Sequence, residues 1–360
     1  MNMDFSKLEK ILEDNNQPKF RLEQIKKAVY RDGVSAFSEI SVLPKDLRDI
    51  LEKEMQILSV SLEEILESKD RKSIKALLKC RDEACLVSTD DNFIETVLLS
   101  SGKGVWTVCV SCQVGCPMNC AFCATGQEGF KRNLTAEEIT DQILFWKQYL
   151  KNCYKLPTTN HKLTNVVYMG MGEPFLNWDN VKKSLEDLTD PGLFGFSSRS
   201  ISVSTAGIAE GIEELYKNFP QINLAISLHF PDDERREKHM PVNKKYNLEK
   251  LREALRKYFT KGKRKIFIEY IMFENLNDSL PDARKLSEYL KSIGHAYLLH
   301  VNLIPFNAKY EVNNKNSFKS SSREKILAFK KCLEENNINV TIRKSLGQDI
   351  QGACGQLAGK

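Results

Sequence analysis

The chain has 360 residues, of which 41% are hydrophobic and 28% are charged, a composition typical of a globular domain or two. Its 53 lysines and arginines against 48 aspartates and glutamates give a net charge of +5, which is compatible with a polyanionic partner without requiring one. The polar, acidic start does not resemble a secretory signal, and no apolar run reaches the roughly 18 residues that span a bilayer. We therefore expect a cytoplasmic protein with no membrane association.

In the first third of the chain, the residue patterns predict helices followed by two strands. Apolar residues recur at helical spacing over residues 4–67, which predicts a small helical domain over residues 1–70. Ser73–Cys80 and Phe93–Leu99 are rich in β-forming residues. They predict a hairpin extension and connection over residues 71–104.

Strand and helix patterns alternate over residues 105–343, which predicts a parallel sheet with crossover helices. A complete eight-stranded barrel typically takes about 250 residues, and this stretch contains seven predicted strands. The fold class is therefore α/β, a partial TIM-like (β/α) barrel with a small N-terminal helical domain. The seven predicted strands are Trp106–Val110, Asn165–Met169, Ser200–Ser204, Asn223–Ser227, Lys265–Ile271, Tyr297–Leu303 and Asn339–Arg343.

Glycines and polar residues gather where these strands end. Gly170–Pro174, Thr205–Gly207, Ser227–His229 and Pro305–Asn307 each lie at or just after a predicted strand. Such residues mark turns in any fold. In a β/α barrel, however, they also share the rim that carries the active site.

Ten cysteines are an unusual number for a chain of this kind, and five of them fall within fifteen positions. Clustered thiols in a reducing compartment indicate a metal or redox site more often than disulfides. The five clustered cysteines are Cys109, Cys112, Cys116, Cys120 and Cys123.

Three of these cysteines form a C-x₃-C-x₂-C motif just after the first barrel strand: Cys116, Cys120 and Cys123. Three thiolates on one loop suit an iron–sulfur cluster, because sulfur is a soft, electron-rich ligand, and they leave one iron open to a small molecule. A zinc site is the alternative, but it would need a fourth ligand at a second paired spacing. The motif therefore favours a cluster with an open iron.

At this point the sequence resembles the RlmN/Cfr-type adenine methyltransferases, a branch of the radical S-adenosylmethionine enzymes. The likeness covers nearly the whole chain in seven ordered motifs. These are Cys109–Cys116, Cys123–Gly126, Met169–Pro174, Val203–Gly207, Ser227–His229, Val301–Pro305 and Ala353–Gly359.

The resemblance implies two cofactors. Cys116, Cys120 and Cys123 would hold a [4Fe–4S] cluster whose open iron takes S-adenosylmethionine and cleaves it to a radical. A second S-adenosylmethionine would donate the methyl group in each turnover. An electron donor such as flavodoxin or ferredoxin would reduce the cluster.

Three further residues receive catalytic roles by the same resemblance. Cys354, in the carboxyl-terminal segment 344–360, would accept the methyl group before it passes to the adenine. This transfer would pass through an intermediate in which Cys354 is covalently joined to the RNA. Cys109 would then form a disulfide with Cys354 and so release the RNA. Glu95 would accept the proton that the adenine carbon loses. Without the resemblance, each of these residues could equally be structural.

The resemblance also implies which residues contact S-adenosylmethionine, since the strand-end motifs match those of the family. A carboxylate suits the amino group of the cofactor, and polar side chains suit its adenosyl and carboxylate parts. Alternate residues of a strand point to one face, so Ser227 and His229 share a face and Leu228 does not. The contact residues are Gly172, Glu173, Ser204, Ser227, Leu228, His229 and Asn307.

The resemblance also implies a monomer acting on 23S rRNA, and basic stretches such as Lys250–Lys265 suit RNA phosphates. One branch of the family methylates carbon 2 of the adenine and also acts on a tRNA adenosine. The other methylates carbon 8 and confers antibiotic resistance. Thr164–Val167 and Pro174 after Glu173 look like the carbon-2 branch, whereas Val42–Arg48 and Asp190–Phe194 look somewhat like the carbon-8 branch. The resemblance therefore favours carbon 2.

Two other functions compete with this interpretation. A radical activating enzyme with another substrate would have no use for a methyl-carrying Cys354. A non-catalytic iron–sulfur RNA-binding protein would not need Glu173 or Ser204.

Overall fold

The computed structural model has one ten-stranded sheet with helices packed against it, and a separate two-stranded sheet. No helix within the described residues is both long and apolar enough to cross a membrane. The structure describes residues 5–80, 92–102, 104–153, 162–262, 264–307 and 318–359.

The strands are β1 Val60–Glu67, β2 Ser73–Cys80, β3 Phe93–Gly102, β4 Val105–Cys109, β5 Gln113–Gly115, β6 Phe130–Asn133, β7 Lys162–Tyr168, β8 Ile201–Thr205, β9 Asn223–Ser227, β10 Ile266–Met272, β11 Leu299–Pro305 and β12 Asn339–Ile342. The large sheet runs in the order β1-β2-β3-β4-β7-β8-β9-β10-β11-β12, and β5 pairs with β6.

The helices lie at the start of the chain and between the later strands. Several begin with a side chain that caps the first turn, as Ser279 does by accepting the Asp282 N–H. They are α1 Phe5–Asp14, α2 Phe20–Lys26, α3 Lys45–Glu54, α4 Ala124–Gln127, α5 Ala136–Cys153, α6 Trp178–Thr189, α7 Ala209–Asn218, α8 Asp233–His239, α9 Leu248–Lys261, α10 Leu280–Ile293 and α11 Arg323–Glu335.

The partial barrel predicted from the sequence is confirmed. Neighbouring strands from β4 through β12 in the large sheet pair in parallel. Each of the seven predicted strands is present, with its ends shifted by at most three residues. The register is most strongly specified in the central strand β10, where every residue from Ile268 to Met272 is buried.

The helical prediction for residues 4–67 is wrong at its end. Val60–Glu67 form β1, an antiparallel edge strand on β2 with a bulge between Leu62 and Glu64. The segment is rich in leucine and glutamate, which favour helices locally, and it lies mostly exposed at the sheet edge. Pairing with β2 therefore overrides local propensity.

A short hairpin that the sequence did not predict positions the cysteine motif. β5 and β6 pair on either side of the loop that contains Cys116, Cys120 and Cys123. At the base of this loop, the Cys116 N–H donates to the Gly129 carbonyl (2.8 Å). The loop thus starts and ends at a fixed place beside β4.

The helices at the start of the chain pack against α5 and the loop after α6. Lys147 donates to the Tyr30 carbonyl (2.5 Å), and Gln148 donates to the Val34 carbonyl (2.9 Å). Arg31 donates to the Phe194 carbonyl (3.0 Å). These side chains tie the first helices to the barrel layer.

Candidate active site

A cavity of about 290 Å³ opens at the carboxyl ends of the parallel strands. In β/α barrels this is the end where the loops that carry chemistry converge. Of the predicted site residues, only Glu95 and Leu228 do not line the cavity. The predicted residues that line it are Cys109, Cys116, Cys120, Cys123, Gly172, Glu173, Ser204, Ser227, His229, Asn307 and Cys354.

The three cysteines of the motif line one side of this cavity. Cys116 and Cys120 are buried, and burial raises the pKa of the Cys116 thiol to about 12. Such thiols become thiolates only beside a strong positive charge, which the irons of a cluster provide. No three His, Cys, Asp or Glu side chains in the described ranges are arranged to hold a single metal ion. The all-sulfur donor set suits an iron–sulfur cluster.

Glu173 is a buried carboxyl that faces the cavity. One oxygen accepts the Ala206 N–H (2.7 Å) and the other accepts the Phe175 N–H (3.2 Å). Burial nevertheless raises the pKa of Glu173 to about 7, and no lysine or arginine among the described residues forms an ion pair with it. A carboxylate in this setting is suited to the ammonium group of a ligand.

Gly172 allows the chain to turn next to Glu173. Its φ is +105°, and a Cβ there would lie 2.7 Å from Gln113 Cβ and 2.9 Å from Cys112 Sγ. Only glycine tolerates both the backbone conformation and the close approach. Cys112, one of the five clustered cysteines, is buried behind this turn and does not line the cavity.

Ser227 and His229 both line the cavity, as their spacing predicts, whereas the buried Leu228 does not. His229 has a left-handed backbone (φ +56°), a strained conformation typical of functional turns. Burial, with a smaller contribution from Arg236, lowers the pKa of His229 to about 3, so its ring is neutral. Nδ1 accepts the Ile271 N–H (3.2 Å), which leaves Nε2–H as the donor.

Asn307 connects the cavity wall to the carboxyl-terminal segment. Its Nδ2 donates to the Cys354 carbonyl (3.4 Å), and its Oδ1 accepts from Gln348 (2.5 Å). Ser204, on β8, lines the same cavity. Asn307 is therefore within reach of both a ligand in the cavity and the segment that carries Cys354.

Cys109 and Cys354 come together although they are far apart in sequence. Both line the cavity and both are free thiols. The Cys354 side chain is exposed to the cavity yet enclosed by protein, and this enclosure raises the pKa of its thiol to about 11, with nearby Glu269 as the next cause. Burial, and then the nearness of Cys354, raise the pKa of Cys109 as well.

Glu95 lies on β3 behind the cavity wall and is 1% exposed. Its Oε1 pairs with Lys75 Nζ (2.6 Å), while its Oε2 accepts the N–H groups of Ala358 (2.6 Å) and Gly359 (3.2 Å). The structure thus places Glu95 under the carboxyl-terminal segment rather than in the cavity wall.

Three charged residues that line the cavity were not predicted from the sequence: Glu269, Arg343 and Lys344. Glu269 lies in the middle of the buried strand β10 and accepts from Asn302 (2.8 Å), and burial raises its pKa. Arg343 and Lys344 directly follow β12. The strand-end position could have indicated these two, although no glycine-rich motif marks them, whereas Glu269 carries no such signal.

The basic stretch Lys250–Lys265 lies away from the cavity. Helix α9 leads into β10, so the end of this stretch lies at the amino ends of the strands. Arg256 donates to the Ser292 carbonyl and Arg264 to the Asn223 side chain. Lys263 lies outside the described residues. Among the described residues that line the cavity, the exposed cations are Arg343 and Lys344.

Comparisons with known proteins agree with this geometry. Residues 110–286 match the radical SAM superfamily, and residues 1–57 match the ribosomal RNA large subunit methyltransferase N-terminal domain. The chain is 38% identical to the ribosomal RNA large subunit methyltransferase Cfr of Clostridium botulinum, over 98% of this chain and 96% of the relative.

The chain belongs to the Cfr/RlmN family of radical SAM methyltransferases. It is also 40% identical to a probable dual-specificity RNA methyltransferase RlmN of Carboxydothermus hydrogenoformans, over 97% of this chain and 94% of the relative. A radical SAM methyltransferase from Sphaerobacter thermophilus has the same fold, with a TM-score of 0.86, 35% identity, and coverage of 99% of this chain and 98% of that one. Membership implies a [4Fe–4S] cluster and S-adenosylmethionine as cofactors.

Proposed function

We propose that the protein methylates carbon 2 of an adenine in 23S rRNA, in the cytoplasm, through a methyl group carried by Cys354. The observation that supports this most is the shared cavity, which joins the three motif cysteines to both Cys109 and Cys354. The RNA substrate comes from the names of the relatives. A tRNA adenosine is a second proposed substrate, in line with the dual-specificity relative.

In this proposal Cys116, Cys120 and Cys123 hold the cluster, and Glu173 pairs with the amino group of S-adenosylmethionine. Gly172 keeps the turn open for the cofactor. Ser204, Ser227, His229 and Asn307 surround its remaining polar groups, with Leu228 contributing only through its backbone. When bound, these cofactors supply a carbon-centred radical and, from a second S-adenosylmethionine, the methyl group.

The Cys354 thiol must lose its proton before it can take a methyl group, because the thiolate is the nucleophile. Its enclosed position opposes this loss. A positively charged sulfonium held close to the thiol would favour the thiolate. Cys109, on the same cavity, is then placed to form the disulfide that frees the methylated base.

Glu95 is the proposed proton acceptor for the adenine carbon. While the carboxyl-terminal segment is docked, its carboxylate is occupied by Lys75 and by the N–H groups of Ala358 and Gly359. Proton acceptance therefore requires this segment to move.

The target adenine must leave its stack to enter a cavity of this size. Arg343 and Lys344 at the mouth are the proposed contacts to neighbouring phosphates, since such contacts position RNA without reading its sequence. A flavodoxin or ferredoxin is the proposed electron donor, and the protein acts as a monomer.

Methylation at carbon 8 is the second candidate, because the Cfr-named relatives match about as well as the RlmN-named one. The test is to express the chain in bacteria that lack their own adenine-2 methyltransferase and to analyse 23S rRNA nucleosides by mass spectrometry. We expect 2-methyladenosine with the unchanged chain and none with Cys354→Ala. Formation of 8-methyladenosine instead would identify the carbon-8 branch.

A further inference from the structure

The carboxyl-terminal segment is attached to the protein around it at Cys354 and at several residues that follow. At Cys354 itself, Asn307 donates to the backbone carbonyl (3.4 Å). Beyond it, the Ala124 N–H donates to the Gly355 carbonyl (2.9 Å), and Thr125 Oγ1 donates to the Leu357 carbonyl (2.6 Å). These bonds join the segment to the helical turn directly after Cys123.

The far end of the segment has a charged attachment point. Ala358 and Gly359 both direct their N–H groups at Glu95 Oε2, and hydrogen bonds to a charged acceptor are about twice as strong as neutral ones. Gly359 has φ +70°, and a Cβ there would lie 2.9 Å from the Phe93 carbonyl oxygen. The segment is therefore seated closely on β3.

Lys75 makes this attachment point possible. Leu77 pairs with Glu95 across β2 and β3, which makes Lys75 a diagonal neighbour of Glu95 on the same face. Lys75 is 7% exposed, and its Nζ lies 2.6 Å from Glu95 Oε1. The Lys75 ammonium gives this buried carboxylate a cationic partner. It pairs with Oε1, which leaves Oε2 to accept the two N–H groups.

We propose that the Lys75–Glu95 ion pair is the anchor that docks the carboxyl-terminal segment and so positions Cys354 in the cavity. Lys75 and Glu95 act here as positioning residues. Because the docked segment occupies the Glu95 carboxylate, docking and proton acceptance by Glu95 exclude each other in time. The importance of Cys354 rests on the proposed function, whereas the anchor itself can be tested without any reaction.

The test is hydrogen exchange measured by mass spectrometry on the full chain, following peptides that cover residues 352–359. We compare the unchanged protein with Lys75→Met and Glu95→Gln. Lys79→Met is the matched control, since Lys79 lies on the same face of the same strand and its ammonium lies over the Phe93 ring (5.7 Å) instead of beside Glu95. Peptides over α10 report whether each variant remains folded.

We expect the Ala358 and Gly359 amides to exchange at least about tenfold faster in Lys75→Met and in Glu95→Gln, as loss of a charge-assisted bond implies. The control should match the unchanged protein. If both variants keep the original exchange rates with α10 intact, the anchor proposal is wrong. The same result is expected if Glu95 serves only as a proton acceptor, because Lys75 would then have no role in docking.

The methylated fraction of Cys354, measured on the same samples, separates this proposal from the proposed function. We expect that fraction to fall in both variants. If the unchanged protein never carries a methyl group on Cys354 but the variants exchange faster, the anchor is confirmed and the S-methylcysteine route is rejected. If the methyl fraction and the exchange rates are both unaffected, the anchor is rejected and the route survives.

Discussion

Two buried glutamates, Glu95 behind the cavity wall and Glu173 in it, show how differently one residue type can be used. Glu95 Oε1 lies 2.6 Å from Lys75 Nζ, and its Oε2 accepts the backbone N–H groups of Ala358 and Gly359. Glu173 accepts two backbone N–H groups, yet no cation of the described chain pairs with it, and burial raises its pKa to about 7.

This difference assigns the two glutamates to different tasks. The Glu95 carboxylate has its cation and its N–H donors within the protein, and through those donors it holds the segment that carries Cys354. The Glu173 carboxylate has no cationic partner among the described residues, which suits it to bind a cationic ligand such as S-adenosylmethionine. Met171, two residues before Glu173 in sequence, accepts the Glu95 N–H with its sulfur (3.3 Å).

The three motif cysteines should be needed both for cleavage of S-adenosylmethionine and for methylation of RNA. Replacing Cys120 by alanine removes one sulfur donor, so we expect both cleavage of S-adenosylmethionine and RNA methylation to fall to background. Anaerobic reconstitution, followed by iron analysis and chromatography of 5′-deoxyadenosine, checks this. Full cleavage activity in Cys120→Ala would mean that the cluster is held elsewhere.

Cys354, in the carboxyl-terminal segment, should be needed only for transfer of the methyl group to RNA. In Cys354→Ala we expect RNA methylation to fall to background, because no thiolate carries the methyl group. Cluster content and S-adenosylmethionine affinity should stay as in the unchanged protein, since the motif cysteines and Glu173 are untouched. Isothermal titration and nucleoside mass spectrometry measure the two effects. Loss of S-adenosylmethionine affinity in Cys354→Ala would mean that Cys354 also takes part in cofactor binding, contrary to this prediction.

The Glu173 side should show a pH dependence. Its carboxyl is charged above a pH of about 7 and neutral below it. A proton therefore competes with the cofactor ammonium, and S-adenosylmethionine binding should weaken roughly tenfold for each pH unit below the pKa. Glu173→Gln should bind about 10- to 100-fold more weakly at pH 8 and lose the pH dependence. An unchanged pH profile in this variant would assign the titration to another group.

Much of the fold and the cavity could be predicted because the signals are local. Seven barrel strands carry runs of β-branched residues, and strand-end positions such as Ser227 and His229 follow from a two-residue period. β1 could not be predicted, because an exposed edge strand needs little apolar patterning. Its extended conformation depends on pairing with β2, which its own sequence does not reveal. The Glu95–Ala358 bond joins positions 263 residues apart, and no local pattern encodes such a contact.

Labelling of Cys354 tests the account most directly. Anaerobically reconstituted protein would be supplied with S-adenosylmethionine bearing a deuterated methyl group, together with a reductant and 23S rRNA, and its peptides and nucleosides analysed by mass spectrometry. We predict deuterated methyl on Cys354 before any appears in RNA, and then its transfer to adenine. Labelled adenine formed while Cys354 stays unlabelled throughout would contradict the account.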